Sequence, residues 1–257
     1  MQIVGYETER PPEDDDPGRD PALLIAKEGT VERVVLTPGT ALDYALGDRH
    51  CAGRITDEEH RRCDADDAPY CPRHTDRWPC ARCTGDCDLP LASCREDHAV
   101  YLAAFAPDTF KVGVTRSWRL RTRLREQGAD RAAHVHTVEN GRIARQLEAE
   151  YATEIPDRVR VPTKVDGLTR DVDEAAWDRL CEAFDVRERF DFDYGVDLEW
   201  PPVPETVASG RVRGVKGRLL LLDRGGTTYA VNLRDLVGFE VDDDAAPTDR
   251  QSSLGAF

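Results

Sequence analysis

Residues 100–130, VYLAAFAPDTFKVGVTRSWRLRTRLREQGAD, change their periodicity twice, and the fold is read from those changes. Aliphatic, aromatic and β-branched residues fill the segments on either side of Pro107-Asp108, a pattern that predicts two strands joined by a turn. Ser117 then reads as the cap of a helix running to Gly128. On that helix Arg119 and Arg123 share a face with Arg116 nearby, while Arg121 and Arg125 point elsewhere.

Working outward, a second helix is predicted to start near Asn140, with Ile143, Leu147 and Tyr151 at intervals of four. A third covers DEAAWDRLCEAF, where Trp177, Leu180, Cys181 and Phe184 share a face, so Cys181 reads as a core residue. His134 and His136 fall on one side of a strand with no evident carboxylate or cysteine partner, and read as ordinary strand residues. Before this region, QIVGY and ALLIAKEGTVERVVL are strand-like runs around a Pro- and Asp-rich connection. After it, residues 210–241 are glycine-punctuated strands, with a hairpin predicted at Gly225-Gly226. The N-terminal strands are too few to fold alone, so they are expected to join the C-terminal ones in a small β unit.

The expected class is α+β: a small mixed sheet with flanking helices, a Cys-rich segment and that β unit. The divisions are N-terminal strands (1–48), the Cys-rich segment (49–98), the α/β domain (99–192), the C-terminal strands (193–241) and an acidic tail (242–257). No fixed-period repeat, phosphate-binding loop or dinucleotide fingerprint is present; GRVRGVKG has the wrong spacing for the last two.

With 257 residues, 40% apolar and 33% charged, the chain can bury a real core. It has no apolar run long enough for a membrane helix and no signal-peptide pattern, so a cytoplasmic protein is expected. The net charge is −15, with only four lysines. This acidic, lysine-poor composition resembles proteins of extreme halophiles. Near molar salt the Debye length is about 3 Å, so overall negative charge does not exclude nucleic acid.

Seven of the eight cysteines lie between positions 51 and 94. In a reducing compartment such density points to metal rather than disulfides, and zinc needs four nitrogen or sulfur ligands arranged tetrahedrally. Two sets can be drawn: Cys51, Cys63, Cys71 and His74, then Cys80, Cys83, Cys87 and Cys94. His98 can replace a member of the second, which is also compatible with an iron–sulfur cluster. Closed four-ligand sites imply two structural zinc ions, since catalytic zinc keeps a position open.

The central segment resembles the GIY-YIG nuclease family: a strand with Val100-Tyr101-Leu102, a turn, Lys111-Val112-Gly113-Val114-Thr115, an arginine-bearing helix, then a helix carrying glutamate. The resemblance covers roughly residues 99–155. It implies that Tyr101 helps activate water, that Arg123 holds the scissile phosphate and that Glu148 binds one divalent ion such as Mg2+ or Mn2+. KVG replaces YIG, which puts Lys111 where the family has its second tyrosine, and Ala99 or Val100 replaces the first motif's glycine. Arg121 also fits the arginine position; the shared face with Arg119 favours Arg123. The same residues also read as a sheet-packing tyrosine, a solvated arginine face and a surface glutamate. Most of the chain also resembles an uncharacterised family of bacteria and archaea, DUF2797, which carries no established reaction. The features are the N-terminal strands, the Cys-rich segment, KVGVTR with TRLREQGA, and GRVRGVKGRLLLLD followed by AVNLRDLVGF.

Arg116, Arg119 and Arg123 lie in the one dense basic stretch of an acidic chain and are the expected nucleic-acid contacts. The tail ends QSSLGAF, and Gln251, Leu254 and Phe257 resemble the peptide that docks on the DNA sliding clamp. A helical turn would put Leu254 and Phe257 on one side, led by an acidic linker. The expected function is metal-dependent hydrolysis of DNA by a clamp-recruited protein, with no membrane partner. The alternatives are a non-catalytic nucleic-acid adaptor, and RNA- or ribosome-linked work in which the tail match is accidental.

Overall fold

A computed structural model of the chain describes residues 1–10, 18–57, 59–75 and 92–242. Strand β7 (His98–Phe105) is buried along its whole length. Successive side chains on a strand point to opposite faces, so a strand without a polar side must lie between two layers. Val100, Leu102 and Ala104 meet Ala144 of α2 (Gly141–Tyr151) and Trp177 and Cys181 of α4 (Glu174–Glu182). Ala99, Tyr101, Ala103 and Phe105 meet Leu120 and Leu124 of α1 (Leu120–Gln127). Around β7 forms an antiparallel sheet in the order β10 (Glu188–Asp191), β9 (Arg131–Val138), β7, β8 (Thr109–Arg116).

Local signals set the helix ends. Asn140 Oδ1 accepts from the Ile143 amide at 2.9 Å and starts α2. Asp173 does the same for α4 through Ala176. Gly128, at φ 69°, ends α1 in the left-handed conformation that glycine adopts without a Cβ penalty. Ser117 does not cap α1: a 3₁₀ turn, Ser117–Arg119, comes first, and Ser117 Oγ is buried with no hydrogen-bond partner among the described residues. The Ser117 amide is held by the Asp97 carbonyl at 2.8 Å, so the chain leaving β8 is still tied to the start of β7 where a cap residue would turn away.

The other sheet has eleven strands and exceeds the small β unit expected from the sequence. Its middle runs β14 (Thr227–Asn232), β13 (Leu219–Arg224), β12 (Ala208–Lys216), β4 (Ala41–Arg49), β15 (Phe239–Asp242), β1 (Gln2–Glu7), β2 (Ala22–Lys27) and β3 (Thr30–Val35). At one edge β11 (Val203–Pro204) is added, and at the other the pair β5 (Arg54–Thr56) and β6 (Glu59–Arg61), contributed by the Cys-rich segment. The C-terminal β15 lies between β4 and β1.

The run of four leucines in β13 enters two core clusters, one on each face of the large sheet. Leu220 and Leu222 enter the main core with Ile3, Leu23 and Leu236. Leu219 and Leu221 face the other way, onto Val165 of α3 (Val161–Asp166) and Leu168. Burying each such side chain contributes about 1.5–3 kcal/mol. The β12–β13 turn then sits on the end of α1: a Cβ on Gly217 would lie 2.4 Å from the Gly128 nitrogen. Lys216 Nζ binds Asp130 Oδ1 at 2.5 Å beside that contact. The turn thereby delivers Arg218 to the open side of α1. No helix among the described residues is long and apolar enough to cross a membrane.

Candidate active site and metal centre

Because Leu120 and Leu124 dock on β7, the flank of α1 bearing Arg119, Arg123 and Gln127 runs beside Tyr101. Tyr101 pairs in register with Gly113 of β8. A Cβ on Gly113 would lie 2.5 Å from the Tyr101 hydroxyl, so the glycine of KVG is what lets the ring lie across β8. Gln127 links the parts. Its side-chain amide donates to Tyr101 Oη at 2.7 Å and accepts from Lys111 Nζ at 3.0 Å, and its backbone carbonyl accepts from Lys164 Nζ at 2.6 Å.

Burial pushes the Tyr101 hydroxyl up, against the opposing pull of Arg123 and Gln127. Burial and then Arg123 bring Lys111 down to about 8, partly offset by Glu148 and Asp157. Arg123 and Glu148 each act on both Tyr101 and Lys111, and Lys111 Nζ lies 5.9 Å from the Tyr101 ring centroid. Tyr101 is only 2% exposed, however, and Glu148 Oε2 is bound by Arg145 at 2.6 Å. Lys111 and Arg123 line the neighbouring cleft; Tyr101 and Glu148 do not.

That cleft has a volume of about 1060 Å³. Its wall carries nine cationic side chains (Arg10, Arg19, Lys111, Arg119, Arg123, Arg158, Lys164, Arg218, Arg234) against four carboxylates (Glu7, Glu9, Glu126, Asp157). In a chain of net charge −15 this is a local reversal of sign. Arg119 and Arg123 both bind Glu126, at 2.7 and 3.0 Å, and Arg116 lies outside the cleft, 3.6 Å from Glu96 and over the Trp118 ring. The basic stretch read from the sequence is thus partly neutralised in place. Gln127, Lys164 and Arg218 belong to no motif; only the scarcity of lysine marks Lys164.

The first cysteine set comes together. Cys51, Cys63, Cys71 and His74 place one ligand atom each within 4.8 Å of the others, a group that can hold one metal ion and is consistent with zinc. Tetrahedral zinc with sulfur ligands at about 2.3 Å has ligand atoms about 3.8 Å apart. His74 Nδ1 lies 3.4 Å from Cys51 Sγ and 3.3 Å from Cys71 Sγ. Backbone amides of Gly53 and Cys71 donate to Cys51 Sγ, the contacts a thiolate needs once buried. Burial pushes the Cys71 thiol up, but the Arg73 and His74 amides with the Cys51 and His74 side chains outweigh it, bringing it to about 6. All three cysteines are buried, as suits a closed structural site.

The cluster follows β4 directly and is tied to the large sheet, since Gln2 Nε2 donates to the Cys51 and Gly238 carbonyls. Of the second set only Cys94 is described, in a 3₁₀ turn at Ala92–Arg95. Cys80, Cys83 and Cys87 lie outside the described residues, as do Gln251, Leu254 and Phe257.

The family model described as protein of unknown function (DUF2797) matches residues 71–241, well over half the chain, and the chain belongs to that family. The matched region starts at Cys71 and includes the cleft residues from Lys111 to Arg234, while Tyr6, Glu7, Thr8, Glu9, Arg10 and Arg19 on its wall precede it. No curated protein and no solved structure matches the chain.

Cys71→Ser is expected to lower the zinc bound by the full chain by one equivalent, and to lower its melting temperature. Metal content by mass spectrometry checks this; unchanged zinc in a folded variant would contradict the site.

Proposed function

We propose that this chain is a zinc-containing, GIY-YIG-like DNA-processing protein that hydrolyses a phosphodiester held in the basic cleft. The observation that carries the reading is that Tyr101 and Lys111, joined through Gln127, both feel Arg123 and Glu148, although the four are distant in sequence. The order of their elements supports it: β7 with Tyr101, β8 with Lys111, α1 with Arg123 and α2 with Glu148. Arg123 and Lys111 offer positive charge to phosphoryl oxygens in a partly desolvated setting, where such charge counts most. Glu148 keeps Oε1 without a hydrogen bond among the described residues, one oxygen on which Mg2+ or Mn2+ fits. That ion would supply Lewis-acid charge. The zinc reading extends to two structural ions, one for each cysteine set.

A second reading, a non-catalytic nucleic-acid adaptor, draws on three observations. Tyr101 is buried, Glu148 is already paired with Arg145, and lysine occupies the position of the second tyrosine. Under both readings the C-terminal Gln251, Leu254 and Phe257 dock on the DNA sliding clamp.

With Mg2+ or Mn2+ the full chain is expected to cleave single-stranded, duplex or branched DNA, and Glu148→Ala or Arg123→Ala to slow cleavage about 100-fold or more. Binding measured in parallel separates the readings: binding without cleavage at any salt up to molar supports the adaptor, and neither binding nor cleavage removes both. For the tail, the immobilised sliding clamp is expected to retain the full chain and to release one lacking residues 251–257; equal retention would contradict that role.

A further inference from the structure

Arginine supplies thirty-one of the chain's basic side chains and lysine four, yet Lys111, Lys164 and Lys216 all gather where the two sheets meet. Arginine stays charged everywhere, whereas a lysine desolvated among cations gives up its proton and becomes a nucleophilic amine. Lys216 has a structural partner in Asp130. Lys111 is 9% exposed and spends its ammonium on the Gln127 side chain. Lys164, half-buried on α3, lines the cleft itself, where a substrate can reach it.

The groups facing Lys164 come from every element around it. Arg218 and Lys216 approach from the β12–β13 turn, Lys111 from β8 and Arg123 from α1. Asp130 lines the small cavity under Lys164, but Lys216 and the Ala106 amide already occupy its oxygens. The Phe105 ring, 4.5 Å from Nζ, and the Gln127 carbonyl favour the ammonium. Burial, followed by the four cations, prevails and brings Lys164 down to about 7. A neutral amine can donate one N–H to the Gln127 carbonyl and still keep its lone pair. Arg218 beside it makes no hydrogen bond or ion pair through its side chain among the described residues, which leaves a guanidinium for an anion.

We propose that Lys164 captures, as a Schiff base, an aldehyde whose phosphate is held by Arg218 and Arg123 in the cleft. The inference rests on the reading of the cleft as a phosphate site. Nζ adds its lone pair to the carbonyl carbon and passes a proton to the oxygen, giving a carbinolamine. The C–OH bond then breaks, the hydroxyl leaves as water with a solvent proton, and the nitrogen lone pair closes the C=N bond as an iminium. Hydrolysis reverses the sequence, and nothing is oxidised or reduced. The aldehyde can be a small phosphorylated sugar or the opened sugar of an abasic site in nucleic acid, since both present a carbonyl near a phosphate.

The test treats the full chain with glyceraldehyde 3-phosphate, with glyceraldehyde, or with an oligonucleotide bearing one abasic site. Each carries cyanoborohydride to reduce an imine to a stable amine, and peptide mass mapping locates the adduct. The expected adduct sits on Lys164, forms about ten-fold or more faster with the phosphorylated aldehyde, and is suppressed by inorganic phosphate. The rate should rise with pH through about 7. Lys164→Arg, which keeps the charge, is expected to abolish it. Mapping on the wild-type chain gives the answer even where that variant misfolds. The faster of the two phosphate-bearing probes identifies the source. An adduct spread over several lysines, centred on Lys111 or indifferent to phosphate overturns the proposal. No adduct with DNA still bound overturns this proposal alone, whereas no adduct and no binding overturns the phosphate reading as well.

Discussion

Gln127 is the constraint on which the site depends. One residue at the end of α1 holds the Tyr101 hydroxyl and the Lys111 ammonium with its side chain and the Lys164 amine with its backbone carbonyl. A buried ammonium without a partner is costly, and the bond from Lys111 to the Gln127 side chain offsets part of that cost. Gln127 is itself fixed because Gly128 stops the helix one residue later, and Gly128 is fixed because the β12–β13 turn rests on it. The chemistry of the cleft is therefore coupled to the docking of two sheets.

That docking follows from β7 and the four leucines of β13, which are buried on both faces. β7 is buried between α1 on one side and α2 with α4 on the other, and β13 between the large sheet's core and α3. Each joins layers that a one-sided strand would leave apart. Where they converge, the apolar contact of Leu219 and Leu221 with Val165 gives way to Lys164, Arg218 and Arg123 at the opening. The core thus excludes water from one side of the cations and raises the electrostatic value of an anion bound on the other. The Cys51 cluster lies at the end of β4, where a metal ion held by Cys51, Cys63, Cys71 and His74 would add to the β-pairing and Gln2 contacts that tie this segment to the large sheet.

Much of the local structure was legible because it depends on near neighbours in sequence. The strand, turn, strand and helix of residues 98–127 follow from periodicity, as do the helix starting near Asn140 and the one over residues 173–184. The ligand set of Cys51, Cys63, Cys71 and His74 follows from the thiol and imidazole demand of zinc. What depends on tertiary contact was not legible. Ser117 has the right chemistry for a cap, but its amide is taken by Asp97, a partner no local pattern reveals. Gln127 and Arg218 become informative only when the two sheets meet, since each acts across elements far apart along the chain.

If the proposed function holds, this junction cleft, and not the acidic surface elsewhere, receives the phosphodiester backbone. Hydrogen–deuterium exchange of the full chain with and without a DNA oligonucleotide at low salt tests it most directly. The account predicts slowed exchange in α1, in residues 157–166 around Lys164 and in the turn at residues 216–219, with little change along β2 and β3. Protection confined to segments away from the cleft, with those three unchanged while DNA is bound, would contradict it.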